Sequence, residues 1–258
     1  MGVRAAFFDL DKTVIAKPSV VALGPELHAK GFIQRRTLAR AAFSQALFLW
    51  FGADQEKMEK VRREMLRLTK GWSKDEVRSL VEETLTNTIE PLIYREALEY
   101  IDLHRERGDE VWIVSSSPEE IVQPFAALIG ATGAIASRAS VDAQGRYTGE
   151  LDFFCQGVGK AVAMAELAGA RGLDLANSAA YSDSHTDVPM LEAVGHPYAV
   201  NPDRELLKIA QERQWPTLKF SHPVRPKTRR VSHTPMLVGL VAVAALALLG
   251  RGRRRRGA

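Results

Sequence analysis

Hydrophobic and polar positions change their spacing several times along this chain, and each change marks an element. Val-Arg-Ala-Ala-Phe-Phe (3–8) is almost continuously apolar and stops at Asp9, the pattern of a strand covered on both faces in a parallel sheet. Residues 18–90 hold no good strand; their apolar positions recur at helical spacing and predict helices near 19–30, 34–51, 54–69 and 74–89. Gly31 and Gly71-Trp72-Ser73 supply stop and start signals, and Ser73 with Glu76 makes a capping box.

Strand and helix then alternate. A helix is expected over 91–107, with Pro91 in its first turn and Gly108 as its stop. Glu110–Val114 reads as a strand ending in Ser115-Ser116-Ser117, and Pro118 opens a helix to about Leu128. A short strand at 133–136 precedes a hairpin over 137–153 that turns at Asp142-Ala143-Gln144-Gly145. A helix over 160–171, a strand over 178–182, a helix over 187–194, a strand over 198–200 and a helix over 202–213 complete the pattern. Such alternation predicts an α/β fold with a parallel sheet and a helical insertion after the first strand. The expected division is a core of 1–15 plus 91–215, an insertion over 16–90, a basic proline-rich linker over 216–235 and a tail over 236–258.

Charge sharpens that division. Nine of the 35 Lys/Arg and none of the 31 Asp/Glu lie at or beyond Arg225, so the body carries about −5 and the tail +9. A body of that sign is a poor nucleic-acid binder. Met236–Leu249 is fourteen apolar or glycine residues followed by five arginines. As a helix it would span roughly 21 Å, short of a roughly 30 Å hydrocarbon core, with flanking residues and snorkelling arginines to close part of the gap, so a C-terminal membrane anchor is expected, either a spanning helix or a shallow or re-entrant segment. Residues 3–8 are followed at once by Asp9 and Asp11 and make no secretory leader, so the body is expected in the cytoplasm. The single cysteine, Cys155, excludes an internal disulfide and has no Cys or His neighbours for a zinc site.

Ligands of open α/β sheets bind at the carboxyl ends of the strands. Asp9-Leu10-Asp11-Lys12-Thr13, Ser115-Ser116 and Asp183-Ser184-His185-Thr186-Asp187 all follow predicted strands, and Lys160 opens a helix after Gly157-Val158-Gly159. Crowded acids (Asp9, Asp11, Asp183) call for a cation, and all-oxygen ligands suit Mg²⁺, which keeps waters and a substrate phosphate. A carboxylate can then attack phosphorus, a hydroxyl and an ammonium can hold the phosphoryl oxygens, and a second carboxylate can move the proton.

In order and spacing, Asp9-x-Asp11-x-Thr13, Ser115, Lys160 and Asp183-x-x-x-Asp187 resemble the four motifs of the haloacid dehalogenase superfamily. Residues 181–191 and 145–151 are similar to its phosphoserine-phosphatase-like subfamily IB. The resemblance implies a Rossmann-like core with a C1-type cap, and an Mg²⁺-dependent phosphomonoester hydrolase working through an aspartyl-phosphate on Asp9. It implies Asp11 as general acid/base, binding metal through its backbone carbonyl, and Asp183 as a further metal ligand. It also implies Ser115, Ser116 and Lys160 as phosphate holders, with Thr13 and Asp187 in support. His185 is expected to be a loop residue without catalytic role.

The substrate pattern departs from the subfamily. A phosphoserine phosphatase carries a glutamate seven residues after the second aspartate, and here that position is Pro18. Phe43, Leu47, Phe48, Leu49, Trp50 and Phe51 read as cap core or as an apolar pocket, which widens the expected substrates to small or lipid-derived phosphate esters. Phosphoserine hydrolysis, phosphoryl transfer to an acceptor other than water, and a membrane-tethered scaffold with a vestigial site are the alternatives.

Overall fold

The computed structural model describes residues 2–33, 63 and 66–224. The helix expected over 34–51, most of that over 54–69, the aromatic run ending at Phe51 and the chain beyond 224 lie outside the described residues. Among the described residues no helix is long and apolar enough to cross a membrane.

Strands β1 (Ala5–Phe8), β2 (Glu110–Pro118), β3 (Gly133–Val141), β4 (Tyr147–Phe153), β5 (Ala179–Ser182), β6 (His196–Val200) and β7 (Thr217–Leu218) form one sheet in the order β4-β3-β2-β1-β5-β6-β7. All neighbours are parallel except β3 and β4. Among the described residues the helices bounded at both ends are α1 (Ser19–Ala29), α2 (Lys74–Thr88), α3 (Arg95–Glu106), α4 (Glu119–Leu128), α5 (Val158–Arg171), α6 (Val188–Glu192) and α7 (Arg204–Glu212).

The continuous apolar run of β1 has its cause in the two layers that cover it. Ala6 and Phe8 face a core made with Ile101 of α3, Phe125 of α4 and Leu85 of α2, while Ala5 and Phe7 face Met164 of α5, Met190 of α6 and Leu206 of α7. Both phenylalanines are fully buried, worth about 1.5–3 kcal/mol each. Phe8 stacks on Tyr181, whose ring also stacks on Tyr198. The Tyr181 hydroxyl is hydrogen bonded to His104 Nε2 at 2.8 Å, and His104 Nδ1 to Asp109 at 2.8 Å. These contacts give the ends of β1 and β5, where Asp9 and Asp183 emerge, a rigid base.

Several expected boundaries move. β2 continues through the three serines to Pro118 and shifts register against β3 between Ser115 and Pro118. The short strand at 133–136 and the first arm of the hairpin are one strand, β3. Pro91 belongs to a 3₁₀ turn (Glu90–Leu92), and α3 starts only at Arg95, because Ile93 and Tyr94 are extended. α6 follows a 3₁₀ turn at His185–Asp187.

That extended break is one side of a joint at the base of residues 16–90. Ile15 bridges Ile93, Tyr94 N–H donates to Val14 O at 2.9 Å, and Ala16 N–H donates to Leu92 O at 2.8 Å. The two connections to the insertion therefore pair with each other. A third segment joins them: Tyr94 bridges Pro223, and Val224 N–H donates to Ile93 O at 2.7 Å. Residues 217–224, expected to begin a linker, thus belong to the fold. β7 extends the sheet, Phe220 is buried, and Glu96 accepts from Ser221 N–H, His222 N–H and the His222 ring.

Candidate active site

β1 lies between β2 and β5: the chain builds one side of the sheet through β2, β3 and β4, then crosses back past β1 to build the other side from β5. The crevice opens where strand order reverses, at the carboxyl ends of these three strands. Asp9, Ser115 and Asp183 stand there, all buried. Lys160 joins them from the first turn of α5, which Gly157 starts with φ of 55°.

Lys160 is the centre of the charge network. Its Nζ donates to Asp9 Oδ1 at 2.6 Å and to Asp187 Oδ2 at 2.7 Å. Asp187 also accepts from Ser182 Oγ at 2.7 Å. Burial disfavours the Lys160 cation, but Asp9 and Asp187 outweigh it and hold the ammonium protonated well above its ordinary range. One cation cannot satisfy every acid. Burial, together with Asp187, Asp183 and Asp11, pushes the Asp9 carboxyl well up despite Lys160. Burial and Asp187 raise Asp183 to about 7, although Lys12 opposes them. Lys12 is held at φ of 65°, a left-handed conformation that a non-glycine residue seldom adopts outside turns and functional loops.

Uncompensated carboxylates of this kind fit a divalent cation. Among the described residues no three His, Cys, Asp or Glu side chains cluster as a ready-made metal cage. Two carboxylates with a main-chain carbonyl suit Mg²⁺, which takes few protein ligands and keeps its waters.

Asp11 turns the other way, towards the insertion. Its Oδ1 accepts from Ser19 N–H at 2.6 Å and its Oδ2 from Ser117 Oγ at 2.8 Å, while Ser117 Oγ and Ser19 Oγ are 2.9 Å apart. Neither serine was singled out in the sequence. The signal was available: strand alternation puts Ser115 and Ser117 on one face of β2 and Ser116 on the other. Ser115 and Ser117 are buried and Ser116 is exposed. The Ser115 hydroxyl accepts from Ser117 N–H at 3.1 Å, and the Ser116 carbonyl accepts from Ser137 Oγ at 2.8 Å. Thr13 is buried, but its hydroxyl has no hydrogen-bond partner among the described residues. His185 is paired with Asp203 at 2.9 Å and Glu205 at 3.2 Å. Cys155 is fully buried, and burial pushes its thiol up to about 12.

A parallel sheet with acids and a buried lysine gathered at its switch point defines a hydrolase core of the haloacid dehalogenase kind. The family model of haloacid dehalogenase-like hydrolases matches residues 6–192, and the chain belongs to that family. Among its relatives, a probable phosphatase of Mycobacterium tuberculosis is 45% identical over 248 residues, which cover 96% of this chain and 86% of that protein. A phosphoserine phosphatase of the same organism is 35% identical over 256 residues, covering 98% of this chain and 82% of that protein. The solved structure of a Bordetella pertussis protein of unknown function matches with a TM-score of 0.72 at 29% identity, covering 84% of this chain and 99% of that one.

Proposed function

We propose that the chain is an Mg²⁺-dependent phosphomonoester hydrolase that forms an aspartyl-phosphate on Asp9. The observation that carries this reading is the Lys160 bridge between Asp9 and Asp187 at 2.6 and 2.7 Å, with Asp183 and Asp11 at the same strand ends. Mg²⁺ held by Asp9, Asp183 and the Asp11 carbonyl would offset the charge of the substrate phosphate. Asp9 attacks phosphorus, the ester P–O bond breaks, and Asp11 gives its proton to the departing alcohol oxygen. Water then attacks the aspartyl-phosphate, Asp11 takes its proton, and inorganic phosphate leaves with Asp9 restored. Lys160 orients Asp9 and, with Ser115, faces the charge on the phosphoryl oxygens. Asp187 and Ser182 hold Lys160 in place.

The substrate is a small or lipid-derived phosphate ester. Position 18, where an amine-reading carboxylate would stand, is Pro18, and it precedes α1 beside the Asp11 contact. Phosphoserine is therefore expected to be a poor substrate. The 35% identity to a phosphoserine phosphatase favours the second reading, in which another cap residue reads the amine. The basic and apolar chain beyond 224 would hold the body at the cytoplasmic face of a membrane, which fractionation of the full chain tests.

Phosphate release from a panel of phosphomonoesters, with and without chelator, tests the reaction. Asp9→Asn keeps size and hydrogen bonding but removes the nucleophile, so hydrolysis collapses while the fold survives. Turnover by folded Asp9→Asn at the wild-type rate, or full activity in excess chelator, would refute the reading.

A further inference from the structure

Helix α1, the first element of the insertion, lacks a side-chain cap of its own: its N-cap is Pro18, whose side chain carries no oxygen. Four backbone N–H groups at a helix start have no partner within the helix, and the terminus carries a partial positive charge. Asp11, eight residues upstream, fills that place, with Oδ1 at 2.6 Å from Ser19 N–H. Its other oxygen is held by the Ser117 hydroxyl at 2.8 Å. Ser117 has one hydroxyl proton and spends it on Asp11, so the 2.9 Å contact between the two serine hydroxyls is donated by Ser19. Ser19 and Ser117 are buried, at 0% and 5% exposure, so water does not compete for these bonds.

We infer that Ser117 on the core and Ser19 at the head of the insertion are positioning residues that lock the Asp11 carboxyl for the acid and base steps. The three groups lie across the base of the insertion: Ser117 lies near the end of core strand β2, Ser19 opens α1, and Asp11 lies between them. Seating of the insertion and readiness of the acid/base group are then one event, because displacement of α1 takes the Ser19 N–H from Asp11 and the Ser19 hydroxyl from Ser117. The inference rests on the role proposed for Asp11. It adds that two serines outside the four motifs set its geometry.

The test uses the full chain in Mg²⁺ with an alkyl phosphate and with p-nitrophenyl phosphate. A positioned general acid or base contributes about 10²–10⁴-fold, and about 1 Å of misplacement removes about 10²-fold. Ser117→Ala is expected to lower kcat on the alkyl ester by about 10–100-fold, with KM within about twofold. Nitrophenolate needs no protonation, so Asp9 is phosphorylated readily and the phospho-enzyme accumulates during steady state. Ser117→Thr keeps the hydroxyl and restores kcat. Ser19→Pro removes the N–H at a first-turn position where proline suits the helix, and Pro18, at ψ of 127°, already has the conformation that precedes proline. Its kcat should fall at least as far as that of Ser117→Ala, whereas Ser19→Ala, which keeps the N–H, loses less. Wild-type kcat in both Ser117→Ala and Ser19→Pro would overturn the inference. So would equal losses on the two esters with no phospho-enzyme and no rescue by threonine, because a general loss of structure gives that pattern. Absence of Asp9-dependent turnover in the wild type would overturn the phosphatase reading instead.

Discussion

Replacing Lys160 by methionine removes the one ammonium between two buried carboxylates and keeps most of the side-chain length. The three side chains are 3%, 9% and 4% exposed for Lys160, Asp9 and Asp187. At separations of 2.6 and 2.7 Å each contact carries about 6 kcal/mol of gross attraction at an effective dielectric of about 20. The desolvation of three charges offsets most of this in the wild type, so the intact network is close to neutral for stability. Removing one partner is different, because the desolvation remains and the attraction is gone; such losses run to about 3–5 kcal/mol. Asp187 would keep its bond from Ser182 Oγ at 2.7 Å, so Asp9 is the more exposed to the loss. Urea unfolding at pH 7.5 in excess chelator should show a fall of about 3–5 kcal/mol for Lys160→Met. The fall should shrink as pH is lowered, because protonation discharges the stranded carboxyls. Adding Asp187→Asn to Lys160→Met should recover part of it, since one buried charge fewer is left. A loss under about 1 kcal/mol, the range of an exposed pair, would refute the claim that the network is buried and interdependent.

Three further outcomes can be checked. Asp183 has its ordinary 3.8 raised to about 7 in the folded chain, so between those values the folded state holds a proton that the unfolded state has lost. Metal-free protein should therefore lose stability as pH rises from about 4 through about 7 and level off above, and Mg²⁺ should flatten that fall in a melting series; an unchanged slope with Mg²⁺ would count against Asp183 as a ligand. A Cβ on Gly159 would sit 2.5 Å from the Phe154 carbonyl oxygen, so Gly159→Ala must displace the first turn of α5 and with it Lys160; a cost of about 1–3 kcal/mol with reduced kcat is expected, and unaltered unfolding would show that the turn yields freely. Burial pushes Glu96 up, but the bonds from the His222 ring and the Ser221 and His222 N–H groups outweigh it and hold its carboxyl down at about 2; the strap it fixes should persist above pH 4.5 and loosen as pH falls towards 2, and Glu96→Gln should speed amide exchange at 221–224 at neutral pH, with no change pointing to β7 and Phe220 as sufficient anchors.

Much of the candidate site's membership could be read in the sequence because its residues sit beside strong local signals. Asp9 ends an apolar run, Asp183 follows another, and Lys160 opens a helix behind two glycines; strand ends and helix starts are local events, so sequence spacing finds them. The family follows from the same positions. The capping box at Ser73 is visible for the same reason, and Ser73 Oγ does accept from Glu76 N–H.

Tertiary structure decided what depends on residues far apart in the chain. Ile93 and Tyr94 would extend a helix by their spacing, yet pairing with Val14, Ile15 and Val224 draws them into extended conformation, because buried backbone groups at this joint take partners wherever they exist. The proline-rich segment after 216 reads as linker by composition, yet Phe220 finds Tyr94 and Tyr100 and residues 217–224 pack onto the core. Ser117 meets Asp11 across 106 positions, and its role comes from that distance alone. Local spacing fixes which residue types stand at a strand end; which of them touch is set by the packing of α1, β1 and β2, because a hydrogen bond depends on separation in space.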